Sequence, residues 1–334
     1  MSTADAPRAG ARPVVSVIVP SYRRIPSLER CLRALAAQSC VPDEVMIGLR
    51  SDDVDSARAV ELLARSYPAP LHCAFTPESG VVAAMNAALS QCRADSGIIA
   101  LTDDDTEPRR DWLQRLVACF ADPRVGGAGG RDWQPLERGD RAVVGKVQWF
   151  GRTIGNHHLG AGPARDVDVL KGANCAYRAQ LLRATGFDAR LAGEGAQLFW
   201  ELALCLPLRR AGWRLVYDPS IAVEHHIEPR SGGDQLHRGV FAPAPLSNAA
   251  YNETLVLLEN RRGTARAAFM TWALLVGTHH EPGLAQLPRL VLRGDRHAFA
   301  RWRAALDGRL RGWRRWRAEG PGPASLHVPP APAR

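Results

Sequence analysis

Three aspartates stand side by side at Asp103, Asp104 and Asp105, directly after the apolar run 97–101. Adjacent carboxylates repel one another unless cations or hydrogen-bond donors compensate them, so their company in one loop calls for a reason. A Mg2+ or Mn2+ ion bridging to a diphosphate supplies one, because such ions take hard oxygen ligands, few of them from protein and the rest from phosphate and water. The competing reading is an acidic turn in which Asp105 or Thr106 caps the next helix. His157 and His158 lie in WFGRTIGNHHLG, among glycines and polar donors, and read either as an ordered loop beside a ligand or as a surface loop. His225 and His226 follow Glu224, but the second spaced ligand pair of a zinc site is missing. Gly126, Gly127, Gly129 and Gly130 lack the spacing of a dinucleotide fingerprint and mark loops or tight backbone.

The elements that must carry these residues decide between the readings. The run 14–19 (VVSVIV) is continuous and β-branched, ends at Pro20 and Ser21, and predicts a buried strand. Pro26 opens a helix with Leu28, Cys31, Leu32, Leu35 and Ala36 on one face. Further strands are expected at 44–49, 71–75 and 97–101, and helices at 56–66, 81–92 and 109–121. Alternation over 14–121 implies an α/β fold with a mainly parallel, Rossmann-type sheet flanked by helices. Ligands of such sheets sit beyond the carboxyl ends of the strands. Pro20-Ser21-Tyr22, the segment 50–55 and the aspartates all follow strands, so they share one rim, and the metal–diphosphate reading gains. Past 122 the alternation fails: 168–177 reads as strand then turn, 196–211 as a helix, and 215–217 and 221–223 as short strands.

Among 43 basic residues only Lys146 and Lys171 are lysines, and the net charge is +9. Codon bias is one reading of this excess; the other is that the planar guanidinium suits phosphate and anionic surfaces. Seven scattered cysteines without CxxC spacing speak against a disulfide framework or zinc module and for a reducing compartment. The start has no signal-peptide pattern, and the longest apolar stretch, 267–277, is shorter than the roughly 20 residues a bilayer span needs. The expected location is cytoplasmic, or peripheral on the inner face of the cell membrane. Residues 1–13 and the proline-rich 319–334 read as flexible ends. Between them, 231–318 forms a basic C-terminal helical extension, where Phe299, Trp302, Leu306, Leu310 and Trp313 recur at helical spacing among arginines. Such a stripe suits an anionic membrane surface, or packs on the protein's own core; nucleic acid is not expected.

The runs PVVSVIVPSYRR, PDEVMIGLRSDD and ESGVVAAMNAALSQCRADSGIIALTDDDTEP resemble the nucleotide-binding half of family 2 glycosyltransferases with the GT-A fold. The stretches LKGANCAYRAQLLRATGFDARLAGEG and LRRAGWRLVYDPSIAVEHH resemble the acceptor half of the same family. Each piece is a weak signal, but their order and spacing over 13–230 are specific. The resemblance implies a GT-A domain at 14–230, split into a nucleotide-binding half (14–121) and an acceptor half (122–230). It implies inverting transfer from a nucleotide-sugar donor, a UDP- or GDP-sugar, to a glycan or lipid-linked acceptor, with Mg2+ or Mn2+ as cofactor.

Carried over by position, the resemblance puts Pro20, Ser21 and Tyr22 against the nucleoside base. Asp103 and Asp105 match the DxD pair, with Asp105 the direct metal ligand, Asp104 beside them at the donor, and His225 facing metal or diphosphate. Gly80 and Asn86 match residues preceding that motif. Gly172, Asn174 and Arg178 match the strand and turn beneath the donor sugar. Two departures stand out. The acidic pair that usually ends the second strand is replaced by Leu49 and Arg50, which leaves Arg50, Asp52 or Asp53 to contact the nucleotide and the base undetermined. The Glu-Asp pair that carries the catalytic base falls on Trp200 and Glu201, making Glu201 the expected general base, with Glu194 the alternative off register. A nucleotidyltransferase would want a Gly-rich basic loop after the first strand, which Pro20-Ser21-Tyr22 does not supply. A non-catalytic sugar-nucleotide-binding relative or scaffold stays open because of the missing acidic pair.

Overall fold

The first strand is buried on both faces and sets the layering. In β1 (Val15–Pro20), Val17 and Val19 face one apolar layer and Ile18 the other, as the two-residue period of an extended chain requires. The computed structural model describes residues 12–134, 139–227, 241–320, 322 and 327–333. After β1 come α1 (Ile25–Ala36), β2 (Glu44–Arg50), α2 (Val54–Ala64), β3 (Leu71–Thr76), α3 (Val81–Gln91) and β4 (Ile98–Thr102). These are the expected strands and helices, and the four strands run parallel in the order β3-β2-β1-β4. Next follow β5 (Thr106–Pro108), α4 (Trp112–Cys119), β6 (Val125–Trp133), β7 (Lys146–Val147), β8 (Thr153–Ile154), β9 (Arg165–Asp166), β10 (Asn174–Arg178), α5 (Ala179–Thr185), α6 (Trp200–Arg210) and β11 (Arg214–His225). Here β10 enters antiparallel to β4, and β6, β11 and β5 continue the same sheet.

Two expectations about this second half are corrected. Of the two readings of Gly126, Gly127, Gly129 and Gly130, tight backbone holds and loops do not: they lie in β6, whose residues are buried but for its last. A Cβ on Gly127 would sit 2.8 Å from the Tyr177 ring, and one on Gly129 only 2.4 Å from the Asn174 carbonyl, so glycine is what lets β10 close on β6. The two short strands at 215–223 are one strand, β11, carrying a register shift between Asp218 and Ala222.

The extension consists of α7 (Pro243–Asn260), α8 (Thr264–Leu275), α9 (Gln286–Leu292) and α10 (Ala298–Glu319). Buried Gly308 and Gly312 bring α10 close against α7: a Cβ on Gly308 would lie 2.1 Å from the Ser247 carbonyl. Arg309 is buried there in an ion pair with Glu253 at 2.6 Å. Trp313 and Trp316 pack on the main core. The stripe expected to meet a membrane therefore turns inward along most of its length, leaving outward Phe299, Leu310 and the arginines at 303, 311, 314, 315 and 317. The tail is corrected as well. Trp213 Nε1 donates to the Pro329 carbonyl at 2.8 Å, and the Ala331 amide to the Ala211 carbonyl at 3.0 Å, so residues 328–331 are docked on the core. The remaining tail positions 321, 323–326 and 334, the start 1–11, and 231–240 of the extension lie outside the described residues. Among the described residues no helix is long and apolar enough to cross a membrane.

Candidate active site

The end of β4 delivers Asp103, Asp104 and Asp105 to the rim, and β11 returns His225 beside them. Asp103, Asp105 and His225 each offer a ligand atom, and these atoms lie within 4.8 Å of one another. Two carboxylates and an imidazole are a donor set that fits a divalent cation. His225 Nε2 is 3.3 Å from Asp105 Oδ1, and its Nδ1 is 3.4 Å from Asp132 Oδ2. Despite burial, which opposes the charged form, bonds to Asp105 and Asp132 and the field of Asp103 raise its pKa to about 9. A cation taken by His225 must displace that proton. Asp104 does something else. Its side chain is fully buried, with Oδ2 accepting from the Ser21 hydroxyl at 2.7 Å and Oδ1 2.5 Å from Arg24. Burial pushes its pKa up to about 7 even though Arg24 opposes the shift. It is a strut between loop and α1, and the expectation that it touches the donor is corrected.

Sequence reasoning missed three members of this cluster. Arg24 bridges Asp104 and Asp105, reaching Asp105 Oδ2 at 2.9 Å, and offsets the carboxylate repulsion from within the protein. Asp132, at the end of β6, holds Lys171 Nζ at 2.5 Å, and this lysine's charge, with His225, keeps its carboxyl well below the usual range although burial opposes that. Lys171, one of two lysines in an arginine-rich chain, was the available signal. Next to it the Gly172 amide donates to Glu201 Oε1 at 3.2 Å, and this glycine is required because a Cβ would strike the Trp200 indole at 2.2 Å. Glu201, in the first turn of α6, has its pKa raised by burial and by the Asp103 charge, against backbone hydrogen bonds and Lys171. Glu194 is exposed on the segment that folds over the start of α3.

At the opposite side of the rim, Arg50 lies over the Tyr22 ring, 4.1 Å from its centroid, and its guanidinium binds Asp52. That pairing, first of all the Arg50 hydrogen bond, pulls the Asp52 pKa down to about 2. Pro20 ends β1, and the Ser21 amide donates to the Gly48 carbonyl at 3.0 Å, which fixes the start of the Tyr22 turn.

Residues 12–238 match the sequence profile described as glycosyltransferase like family 2. The chain belongs to this family. It is 27% identical over 287 residues to the pre-mycofactocin glycosyltransferase of Mycobacterium tuberculosis, covering 83% of this chain and 55% of the relative. A second relative, glycosyltransferase AglE of Haloferax volcanii, is 26% identical over 120 residues, 35% of this chain and 39% of its own. The chain thus spans about half the length, or less, of these curated relatives. Among solved structures, the mannosyltransferase PcManGT of Pyrobaculum calidifontis, in complex with GDP-Man and Mn2+, matches with TM-score 0.53 at 20% identity, over 94% of this chain and 90% of that one. TarS of S. aureus in complex with UDP-GlcNAc matches with TM-score 0.53 at 16% identity, over 92% of each. The fold is that of the GT-A glycosyltransferases.

Within this family 2 domain, three residues expected at the donor lie elsewhere or are spent on the framework. Asn174 is buried between strands: its Oδ1 accepts from Trp112 Nε1 at 2.8 Å, and its Nδ2 donates to the Ile221 carbonyl at 2.9 Å and the Arg131 carbonyl at 3.1 Å. Arg178 sits opposite Ile98, where β4 starts, whereas Asn174 pairs with Thr102, where β4 ends. Its guanidinium donates to the carbonyls of Phe120, Asp122 and Val125, four residues of strand away from the rim. Asp53 is buried, caps α2 through Ser56, and accepts from the Arg23 amide at 2.6 Å, where Arg23 has a φ of 53°. Asn86 clamps the Phe187 backbone with both its amide groups. His157 is buried against the Val169 carbonyl at 2.9 Å, and burial lowers its pKa to about 4. Both His157 and His158 line a cavity of about 850 Å3 shared with Lys171, Phe199, Trp272, Glu281 and Arg289.

Proposed function

We propose that this chain is an inverting glycosyltransferase that moves a sugar from a UDP- or GDP-sugar to a hydroxyl of a glycan or lipid-linked acceptor, in cell-envelope glycan synthesis. The observation that carries the proposal is the group Asp103, Asp105 and His225, joined through the charge of Lys171 to the half-buried Glu201. The relatives support the donor class, since PcManGT was solved with GDP-Man and TarS with UDP-GlcNAc. Asp103, Asp105 and His225 would hold the cation, Mn2+ in preference to Mg2+ because one donor is an imidazole nitrogen. Such an ion neutralises charge that builds on a leaving diphosphate.

The chain's own groups supply the rest. Tyr22 with Arg50 and Asp52 presents a flat, charged face to the nucleoside. Glu201 takes the proton of the acceptor hydroxyl as its oxygen attacks the anomeric carbon opposite the diphosphate. The new C–O bond forms while the old one breaks, its electron pair leaving with the diphosphate. Burial that raises the Glu201 pKa makes it a better proton acceptor than an exposed carboxylate. Lys171, cationic beside Asp132, offsets the negative charge gathered there. The outward arginines of α10, together with exposed Leu292 and Phe299, support an anionic membrane surface as a partner, on the cytoplasmic side.

The test is turnover of a panel of UDP- and GDP-sugars with Mn2+ or Mg2+, following nucleoside diphosphate release and the anomeric configuration of the product by NMR. Metal-dependent release with inverted configuration is expected. Retained configuration overturns the base assignment, nucleotide binding without turnover of any donor returns the site to a sugar-nucleotide-binding scaffold, and pyrophosphate release marks a nucleotidyltransferase.

A further inference from the structure

The cavity beside Lys171 is walled by three elements that the donor site does not use: the β7–β8 segment, the 276–281 turn after α8, and α9. Its volume, about 850 Å3, lies in the range of small-molecule sites. Three guanidinium groups line it, Arg152 from the β7–β8 segment and Arg289 and Arg293 one turn apart at α9. No hydrogen bond or ion pair among the described residues engages any of the three. They contrast with most arginines of this chain, which are held by carboxylates or carbonyls. The cavity also contains acids, but buried Arg309 answers both: it pairs with Glu253 at 2.6 Å and its charge reaches Glu281, which also accepts from the Thr278 hydroxyl at 3.0 Å. The cationic groups are therefore the unanswered ones. His279, in the same wall, senses them: after burial, the charges of His280, Arg293, Arg301 and Arg289 all push its pKa down.

We propose that this cavity is the acceptor pocket and that it selects an acceptor bearing an anionic group, a phosphate or a carboxylate, gripped by Arg152, Arg289 and Arg293. The planar fork of arginine matches the paired oxygens of either group, and the cavity's low-lying wall of Trp272 and Phe199 covers an apolar or sugar body next to it. The position suits an acceptor because Lys171 belongs to both regions. It lines the cavity and holds Asp132 at 2.5 Å, while the neighbouring Gly172 amide holds Glu201 at 3.2 Å. A hydroxyl carried past Lys171 meets Glu201, and the anionic group stays behind at α9. This assignment rests on the sugar-transfer reading for its meaning, but the anion site itself does not depend on turnover.

The experiment uses the full chain, calorimetry, and two anionic probes, glycerol 3-phosphate and glucuronate, with methyl glucoside as the neutral probe. Mn2+ and UDP or GDP are present at saturation, so the anions cannot report the diphosphate position. At least one anion should bind and methyl glucoside should bind more weakly; the arm that binds names phosphate or carboxylate. Arg289→Ala/Arg293→Ala should weaken that anion by about tenfold or more, as loss of charge-assisted bonds does, and Arg152→Ala should weaken it from a different element. Nucleotide affinity in these variants should equal that of the wild type, which also shows that they are folded. If the wild type takes neither anion, or the double variant binds it as well as the wild type, the pocket assignment is overturned. Absence of nucleotide binding in the wild type would instead overturn the sugar-transfer reading, leaving the anion arm to be read by itself.

Discussion

Asn174 gives the sharpest test of how the sheet and the site are divided. Replacing it with alanine removes one acceptor and two donor bonds from a side chain that is 1% exposed. The Trp112 indole N–H is left without its acceptor in a fully buried place, which costs about 1–3 kcal/mol. The carbonyls of Arg131 and Ile221 each lose a donor, about 1 kcal/mol apiece, since a carbonyl retains a second lone pair for other partners. The sum is about 3–5 kcal/mol, and a chain of this size loses about 2 °C per kcal/mol, so Tm should fall by about 6–10 °C. Calorimetric melting measures that fall, and titration with UDP or GDP plus Mn2+ on the folded variant should give an affinity within about threefold of the wild type, as for sites that do not share a partner. An unchanged Tm together with lost nucleotide affinity would refute the reasoning and restore Asn174 to the donor site.

Three further outcomes are expected. Glu201→Gln should keep donor affinity and lower kcat by about 100-fold or more, while Glu194→Gln stays near wild type. Because the base acts deprotonated and its pKa is raised, the acid limb of the wild-type kcat profile should lie above the ordinary 4.5 and disappear in Glu201→Gln; an active Glu201→Gln with a dead Glu194→Gln reverses the assignment. Asp105→Ala should abolish the Mn2+ dependence of nucleotide affinity in calorimetry, with a loss beyond the roughly 10–100-fold typical of groups that merely support a metal ligand. On vesicles with anionic lipid, charge reversal at Arg303, Arg311 and Arg314 should cut co-sedimentation at low salt, each arginine being worth about 1 kcal/mol near the surface. High salt should release most of the wild type, because Trp313 and Trp316 are turned to the core and Leu292 and Phe299 offer little apolar contact; full retention at high salt would mean that the tryptophans reach the bilayer.

What could be read from residues alone follows from how local each signal was. The strands of 14–121 were legible as apolar runs and the helices as apolar stripes at helical spacing, and the strands' carboxyl ends share a rim. The strand β6 was not legible, since glycine disfavours strands and its reason, the Tyr177 ring and the Asn174 backbone, arrives from 45 or more residues later. The group that could hold a metal was legible at Asp103 and Asp105 and, through the resemblance, at His225. Its supports were not: Asp132 and Lys171 are 39 residues apart and meet only because β6 and the turn before β10 are neighbours. Asp104 and Asp53 looked equivalent to their neighbours in the chain, and only burial distinguishes a carboxylate that ties loops from one that meets a ligand. The α10 stripe had the right spacing for either a bilayer or a core, and Gly308 and Gly312 decide it by letting α7 approach.

The entry of β10 against β4 has a mechanical consequence. A single sheet runs from β3 to β5 without interruption, so the halves 14–121 and 122–230 share hydrogen-bonded strands rather than a hinge. A clamshell opening between them would have to break the β4–β10 ladder, which pairs five residues of each strand. Among the described residues, the β7–β8 hairpin of two-residue strands and the short helix α9 stand outside that ladder. Their amide hydrogens should exchange ahead of those of the sheet, on a separate clock.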